Sequence, residues 1–302
     1  MPRASIRSPR LLHLVLAAAL AITTTISLCN ASSTRVLHTE PSDFSPIVVY
    51  EDMGERCMNF GSLQAPGRQT CIDVDAPDKM VFGYTRMMMS ALFLHPDPKR
   101  ILIIGLGGGT LPRALSQVLP KATIDTVEID PAVVKVAERF FGFSQSPRQR
   151  VFLDDGRAFI EQARAQGEQY DMVLLDAFDV NYIPPHLLTV EFLTQARDIL
   201  APDGVLVANT FSESAVYDSE SATYASVFGE FFNLRHGNRV IIATRGPLPD
   251  TAHLLRNANA LQPALERFGI DVKEQMQLFS RKADWDDTAP VLKDPPAGAN
   301  GA

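Results

Sequence analysis

The sequence predicts an α/β protein, in which a mainly parallel sheet follows a small antiparallel β unit. Two observations support this prediction. From Lys99 onward, short apolar runs alternate with segments of helical periodicity, a pattern that covers a parallel sheet with helices. The apolar run Ile101–Ile104 leads directly into the glycine-rich turn Gly105–Gly109, as the first strand of a doubly wound fold does.

Composition limits the classes of protein to which the chain can belong. Its 302 residues are 46% hydrophobic, which is enough for one sizeable core and a small appendage. The formal net charge is −7. This acidic balance argues against nucleic acid as a partner, because nucleic-acid binding needs a basic face.

The N-terminus has the pattern of a secretory signal peptide over residues 1–31. Three arginines precede the apolar run Leu11–Leu28, and small residues follow it around a cleavage point after Ala31. We therefore expect an exported protein, periplasmic or secreted. The alternative is an uncleaved leader, in which residues 11–28 anchor the protein and supply its only membrane contact.

A polar linker is expected over residues 32–43, and a β unit with a connecting helix over residues 44–95. The predicted strands and the helix after them are Ile47–Tyr50, Cys57–Phe60, Gln69–Val74 and Tyr84–Leu94. Cys57 and Cys71 are equidistant from the centre of the loop between the last two strands. In an oxidising compartment they could form a disulfide, and two buried free thiols are the alternative.

Residues 96–282 are expected to form the main domain. Its predicted parallel strands are Ile101–Ile104, Thr123–Ile129, Arg150–Leu153, Met172–Leu175 and Val205–Asn209. Phe231–Leu234 and Arg239–Thr244 read as an antiparallel hairpin, and such a terminal pair is typical of a Rossmann-like sheet of the class I methyltransferase type. Residues 283–302, rich in Pro, Asp, Gly and Ala, are predicted to be a disordered tail.

Glycines and acids follow the predicted parallel strands, at the edge where ligands bind in such sheets. In chain order they are Gly105, Gly107 and Gly109, then Glu128, then Asp155 and Gly156, then Asp176 and Asp179. A turn without side chains lets a ligand approach the sheet, and Glu128 could accept both hydroxyls of a ribose. Asp155 could accept the exocyclic amino group of adenine, and Asp154 is the better candidate for a helix cap.

Asp176 and Asp179 form a carboxylate pair directly after the strand Met172–Leu175. Two carboxylates could hold an ammonium group and take its proton, which an amine must lose before it attacks. A sulfonium electrophile would release a neutral thioether, so no general acid would be needed. The spacing of cysteine and histidine residues suggests no metal site.

With these residues, the chain resembles the spermidine/spermine synthase (polyamine aminopropyltransferase) family over residues 44–245. The positions similar to the family's motifs are Gln69, Tyr84, the loop Gly105–Thr110, Glu128, Asp155-Gly156 and the catalytic loop Asp176-Ala177-Phe178-Asp179. The resemblance implies aminopropyl transfer from decarboxylated S-adenosylmethionine, used as a co-substrate rather than a permanently bound cofactor, to a diamine such as putrescine. It also implies that Asp176 accepts the proton, that Asp179 and Tyr84 hold the amine, and that the protein pairs as a homodimer.

The chain departs from the family where the amine should bind. Gly108 replaces an aspartate of the glycine loop, Thr85-Arg86 replaces His-Glu, and Val180 replaces a proline. Two other hypotheses therefore stand beside the first. One is a transferase that uses S-adenosylmethionine on another acceptor, with Arg86 paired to a carboxylate. The other is a non-catalytic exported protein that binds nucleosides or polyamines. His186 is a further candidate to approach the acceptor.

Overall fold

The computed structural model of the protein describes residues 34–65, 67–177 and 183–296, which form a four-stranded and a seven-stranded sheet. Within these ranges, every helix is too short or too polar to cross a membrane. The predicted signal peptide lies outside the described residues.

The smaller sheet is an antiparallel meander of β1 (Arg35–Glu40), β2 (Ile47–Asp52), β3 (Glu55–Phe60) and β4 (Thr70–Asp73). Its last three strands agree with the sequence prediction. The strand β1 differs, because residues 32–43 were expected to be a linker. β1 is an edge strand with most of its side chains at least partly exposed, so its polar composition resembles that of a loop.

Cys57 and Cys71 are direct partners in the register of β3 and β4, and their sulfur atoms form a disulfide. Both residues are buried against Tyr50. The disulfide therefore ties together the two strands of the hairpin that precedes the main domain.

The connecting helix α1 (Gly83–Met89) continues as a 3-10 turn over Ser90–Phe93. The three consecutive methionines at its end, Met87, Met88 and Met89, are all buried in the core of the main sheet. They fill the space between the sheet and the helices on that face, as flexible apolar side chains do.

The main sheet contains β5 (Arg100–Ile104), β6 (Thr123–Glu128), β7 (Gln149–Leu153), β8 (Tyr170–Leu175), β9 (Leu200–Thr210), β10 (Phe232–His236) and β11 (Asn238–Thr244). The strand order is β10-β11-β9-β8-β5-β6-β7. The five strands β9, β8, β5, β6 and β7, which are adjacent in this order, are parallel to one another. The strand β11 runs antiparallel to both of its neighbours, β9 and β10. This topology confirms the predicted α/β class with a sheet of the class I methyltransferase type.

The helices of the main domain are α2 (Thr110–Val118), α3 (Pro131–Phe140), α4 (Gly156–Ala165), α5 (Val190–Asp198), α6 (Tyr217–Phe228), α7 (Thr251–Leu265) and α8 (Val272–Leu278). They cover both faces of the sheet. Along β5, Ile101 and Ile103 pack into one core, whereas Leu102 and Ile104 pack into the other. Strand order reverses between β5 and β8, so the crevice at their carboxyl ends is the expected ligand position.

The C-terminal residues 283–296 differ from the expected disordered tail. The Trp285 ring stacks on Phe231 with 5.0 Å between the ring centroids. Further along, the Val190 backbone N–H donates to the Leu292 carbonyl oxygen at 2.9 Å. Composition concealed these contacts, because a few anchoring side chains are enough to hold a polar, proline-containing segment.

Candidate active site

A cavity of about 480 Å³ opens at the carboxyl ends of β5, β6, β7 and β8. The predicted site residues that line it are Gln69, Tyr84, Gly105, Gly107, Glu128, Asp155, Gly156 and Asp176. Gly109 is not among the lining residues, and Asp179 lies outside the described residues. The fold therefore brings residues from the hairpin, from α1 and from four strand ends to one space.

Backbone contacts explain two of the glycines. Gly105 has φ +97°, and a Cβ there would lie 2.3 Å from the carbonyl oxygen of Asp176. Gly109 has φ +75°, and a Cβ there would lie 2.7 Å from the Phe143 ring. Gly105 thus allows the end of β5 to approach the backbone of Asp176, whereas Gly109 leaves room for the Phe143 ring and does not line the cavity.

Thr70 fills the space where a side chain at position 108 would lie. A Cβ built on Gly108 would be 2.6 Å from Thr70 Cγ2 and 2.8 Å from Thr70 Oγ1. Thr70 is buried, and both Thr70 and Gly108 line the cavity. At this point, therefore, the described residues present a hydroxyl group where the resemblance implies a carboxylate.

Glu128, the last residue of β6, is held by two backbone hydrogen bonds. Its Oε2 accepts from the Leu106 N–H at 2.9 Å, and its Oε1 accepts from the Asp130 N–H at 3.0 Å. Burial raises the pKa of Glu128, although these two N–H groups act in the opposite direction. The carboxyl group is therefore fixed against the glycine turn while it lines the cavity.

Asp155 caps α4, so the expectation that Asp154 would be the cap is wrong. Asp155 Oδ1 accepts from the N–H groups of Arg157 and Ala158, each at 3.0 Å, and Asp154 accepts only from the Asp155 N–H. Asp155 Oδ2 lies 3.0 Å from His186 Nε2. Partial burial opposes ionisation, but the Ala158 N–H and His186 outweigh it and lower the pKa of Asp155.

Of the two basic residues proposed to approach the acceptor, His186 lines the cavity and Arg86 does not. Arg86 Nη1 donates to the carbonyl oxygens of Met80 at 2.5 Å and Val81 at 3.5 Å, and Arg86 does not line the cavity. The Arg86 guanidinium thus holds the backbone of the segment before α1. His186 does line the cavity, but beside Asp155 rather than Asp176.

Asp176 follows β8 and is positioned from three sides. Its N–H donates to the Ile104 carbonyl oxygen at 2.8 Å, and its Oδ1 accepts from Asn209 Nδ2 at 3.0 Å. The Tyr84 hydroxyl also hydrogen-bonds its carboxylate. Burial raises the pKa of Asp176 to about 7, although the bonds from Asn209 and Tyr84 act to lower it. Such a carboxylate can accept a proton near neutral pH.

Comparison with known proteins identifies the family. A spermine/spermidine synthase domain matches residues 81–234. The polyamine aminopropyltransferase of Vibrio vulnificus (strain CMCP6) is 44% identical over 282 residues, covering 92% of this chain and 94% of that protein. The chain belongs to the spermine/spermidine synthase family.

The fold of the chain is similar to solved structures that agree with this family. A spermidine synthase in complex with the transition-state analogue AdoDATO has a TM-score of 0.61 at 21% identity, covering 81% of this chain and 89% of that one. Human methyltransferase-like protein 13 in complex with SAH has a TM-score of 0.55 at 28% identity, covering 68% of this chain and 96% of that one.

Two asparagines of this spermine/spermidine synthase family member were missed by sequence reasoning. Asn209 donates to Asp176, and its Oδ1 accepts from Asn238 Nδ2 at 3.3 Å. Asn209 lies near the end of the predicted strand next to Met172–Leu175, and that position was a usable signal. Asn238 starts β11, and only the pairing of β11 with β9 brings it to the cavity.

Proposed function

We propose that the protein is an aminopropyltransferase that moves the aminopropyl group of decarboxylated S-adenosylmethionine to a diamine such as putrescine. The observation that carries this proposal is the Asp176 carboxylate, with its pKa near 7, in the same cavity as Glu128 and Asp155. The activity named for the 44% identical relative supports it.

The adenosine part of the co-substrate would lie between β6 and α4. Glu128 is fixed by two backbone N–H groups and accepts the ribose hydroxyls, because a carboxylate has lone pairs beyond the two in use. Asp155 Oδ2 accepts the exocyclic amino group of adenine. Gly105 and Gly107 leave room for the ligand beside the sheet, and Gln69 closes the cavity from the hairpin.

The reaction is a substitution at carbon. The amine nitrogen attacks the propyl carbon bonded to the sulfonium sulfur, a C–N bond forms, and the C–S bond breaks with its electron pair passing to sulfur. Methylthioadenosine leaves as a neutral thioether, and the proton lost by the amine passes to Asp176. Asn209 and Tyr84 orient the accepting carboxylate. The resemblance implies that Asp179 is a second carboxylate, which binds the amine.

Methyl transfer from S-adenosylmethionine is the second candidate. The Gly108–Thr70 contact favours it, because the described residues there present a hydroxyl where the aminopropyltransferase motif has a carboxylate. The similarity to methyltransferase-like protein 13, solved with SAH, supports the same co-substrate type.

Product identification separates the two candidates. The full chain is incubated with putrescine and either decarboxylated S-adenosylmethionine or S-adenosylmethionine, and the products are identified by mass, with Asp176→Asn as the control. Methylthioadenosine with a lengthened polyamine in the first mixture would support aminopropyl transfer. S-Adenosylhomocysteine in the second mixture would support methyl transfer. If neither product formed, both candidates would be contradicted.

We also propose that the chain is an exported member of its family. The leader-like residues 1–31 and the Cys57–Cys71 disulfide support this location, because disulfides persist in oxidising compartments. Fractionation of cells that express the full chain, with N-terminal sequencing of the product, tests the proposal. A cleaved protein outside the cytoplasm is expected, and a full-length membrane form would favour the anchored alternative.

A further inference from the structure

The segment that we call the C-terminal strap, residues 283–296, contacts the start of α5 and the middle of α6. At α5, the Asp294 N–H donates to Glu191 Oε2 at 3.0 Å, next to the bond between Val190 and Leu292. At α6, the Leu292 N–H donates to Thr223 Oγ1 at 2.9 Å. The backbone of the strap is thus held at Leu292 and at Asp294, where the Asp294 side chain reaches α4.

The Asp294 carboxylate forms a two-bond pair with Arg157, which lies in the first turn of α4. Arg157 Nη1 donates to Oδ1 at 2.7 Å, and Arg157 Nη2 donates to Oδ2 at 2.5 Å. The side chains are only 17% and 29% exposed. A paired, planar geometry of this kind fixes the direction of the guanidinium, which a single-point contact would not.

Arg157 also contacts His186, a residue of the cavity wall. Its Nη1 also donates to the His186 carbonyl oxygen at 3.2 Å, and the His186 ring lies 3.0 Å from Asp155 Oδ2. His186 and Asp155 line the cavity, whereas Arg157 and Asp294 do not. The strap is therefore linked to the cavity wall indirectly, through Arg157 and then His186.

We propose that Asp294 is a positioning residue for the nucleoside: through Arg157 it fixes the turn that carries His186, and with it the orientation of the Asp155 carboxylate toward adenine. This inference rests on the nucleoside site of the proposed function. Without the Asp294 charge, Glu161 on the same helix is the one carboxylate partner that Arg157 keeps among the described residues, and the turn at His186 loses its anchor.

Nucleoside binding to the full chain tests the inference. Dissociation constants for methylthioadenosine and methylthioinosine are measured by calorimetry for the wild type, Asp294→Asn and Asp294→Glu. We expect Asp294→Asn to bind methylthioadenosine about tenfold more weakly, as for loss of one charge-assisted contact. Its preference over methylthioinosine, which lacks the amino group, should fall, and Asp294→Glu should restore part of that preference. Turnover at saturating co-substrate should not change.

Asp284→Asn is the matched control, because Asp284 lies on the same strap but forms its ion pair with Arg235 of β10 rather than with α4. It should bind both nucleosides like the wild type. Arg157→Gln is the second variant, and it should reproduce the loss seen in Asp294→Asn. Wild-type affinity in both Asp294→Asn and Arg157→Gln would overturn the inference, as would an equal loss in Asp284→Asn. A wild type that binds neither nucleoside would overturn the nucleoside site and this inference together.

Discussion

The Asn209 side-chain amide donates to Oδ1 of Asp176 across the ends of two neighbouring parallel strands. This bond orients the carboxylate and stabilises its charged form. Burial nevertheless raises the pKa of Asp176 to about 7, so burial outweighs the stabilisation by Asn209 and Tyr84. The proposed base is therefore held where small changes around it alter its protonation near neutral pH.

The first prediction concerns the pH dependence of catalysis. Asp176 must be ionised to accept a proton, so kcat/KM should fall about tenfold per pH unit below pH 7 and level off above it. In the substrate complex the sulfonium and ammonium charges favour the carboxylate, so the limb of kcat should lie at lower pH. Initial rates between about pH 5 and 9 measure both.

Asp176→Asn is the control for that profile. It should lower kcat by about 10²- to 10⁴-fold, because the proton acceptor is lost, while affinity for methylthioadenosine persists. A wild-type profile without a limb near neutral pH, or an active Asp176→Asn variant, would contradict the role of Asp176.

The second prediction is a shift of that limb in Asn209→Ala. The substitution removes a hydrogen bond to the ionised carboxylate, so the pKa of Asp176 should rise and the kcat/KM limb should move to higher pH. Asn238→Ala is the matched control, because Asn238 bonds Asn209 rather than Asp176. An unchanged limb in Asn209→Ala would show that this bond does not stabilise the charged form.

The third prediction concerns Glu128→Gln. Both carboxylate oxygens accept backbone N–H groups, so an amide would turn an NH₂ group toward one of these donors. We expect affinity for methylthioadenosine to fall by about 10- to 100-fold, with about 1–3 kcal/mol lost from the free energy of unfolding. Calorimetry and urea unfolding measure the two effects. Glu138→Gln, on the exposed face of α3, should change neither, and an unaffected Glu128→Gln would exclude Glu128 from the nucleoside site.

The fourth prediction uses the contact between Thr70 and position 108. Gly108→Asp alone should cost about 1–3 kcal/mol of unfolding free energy, because its Cβ would overlap the Thr70 methyl group. Adding Thr70→Ala should recover most of this loss, and urea unfolding of the two single variants and the double variant measures the coupling. The double variant should also bind decarboxylated S-adenosylmethionine more tightly, because it adds a carboxylate for the ammonium.

Gly108→Asn with Thr70→Ala is the control of equal size without charge. It should unfold like the Gly108→Asp double variant but gain no affinity for the co-substrate. Additive destabilisation in the double variant would mean that Thr70 is not what excludes a side chain at position 108.

The fifth prediction concerns the disulfide. Cys57→Ser with Cys71→Ser should lower the free energy of unfolding by about 3 kcal/mol, the usual value for a loop of this length. Nucleoside affinity should fall as well, because Gln69 and Thr70 beside Cys71 line the cavity. Thiol treatment should lower the free energy of unfolding of the wild type and of the Cys29→Ser variant by the same amount. It should leave the free energy of unfolding of the double serine variant unchanged. A wild type insensitive to thiol would contradict this role.

Sequence reasoning predicted the main sheet well, because buried parallel strands are continuous apolar runs and the glycine turn marks the first of them. It also predicted which strand ends meet, since strand order decides this. It chose Asp154 rather than Asp155 as the cap of α4, and this was wrong, because an aspartate at either position can cap a helix and only the backbone geometry separates the two.

Other features depended on contacts between distant parts of the chain. Arg86 follows the site residue Tyr84, yet its guanidinium turns back to the Met80 carbonyl oxygen. The strap binds through Trp285 and Asp294, whose partners lie 54 or more residues away in sequence (285 − 231 = 54). Local pattern and composition contain no signal for pairings of this kind.

Because Asp294 lies in the strap, the C-terminus of the chain needs protection during handling. Exopeptidase digestion from that end would remove Asp294 before it reached Trp285. The ion pair with Arg157 would therefore be lost while the stack of Trp285 on Phe231 and the helix α8 were still present. A preparation trimmed in this way would remain folded, with its disulfide intact, and yet require more co-substrate for half-maximal rate. A purification tag fused after Ala302 would follow the strap in the sequence, so the affinity of tagged and untagged protein should be compared.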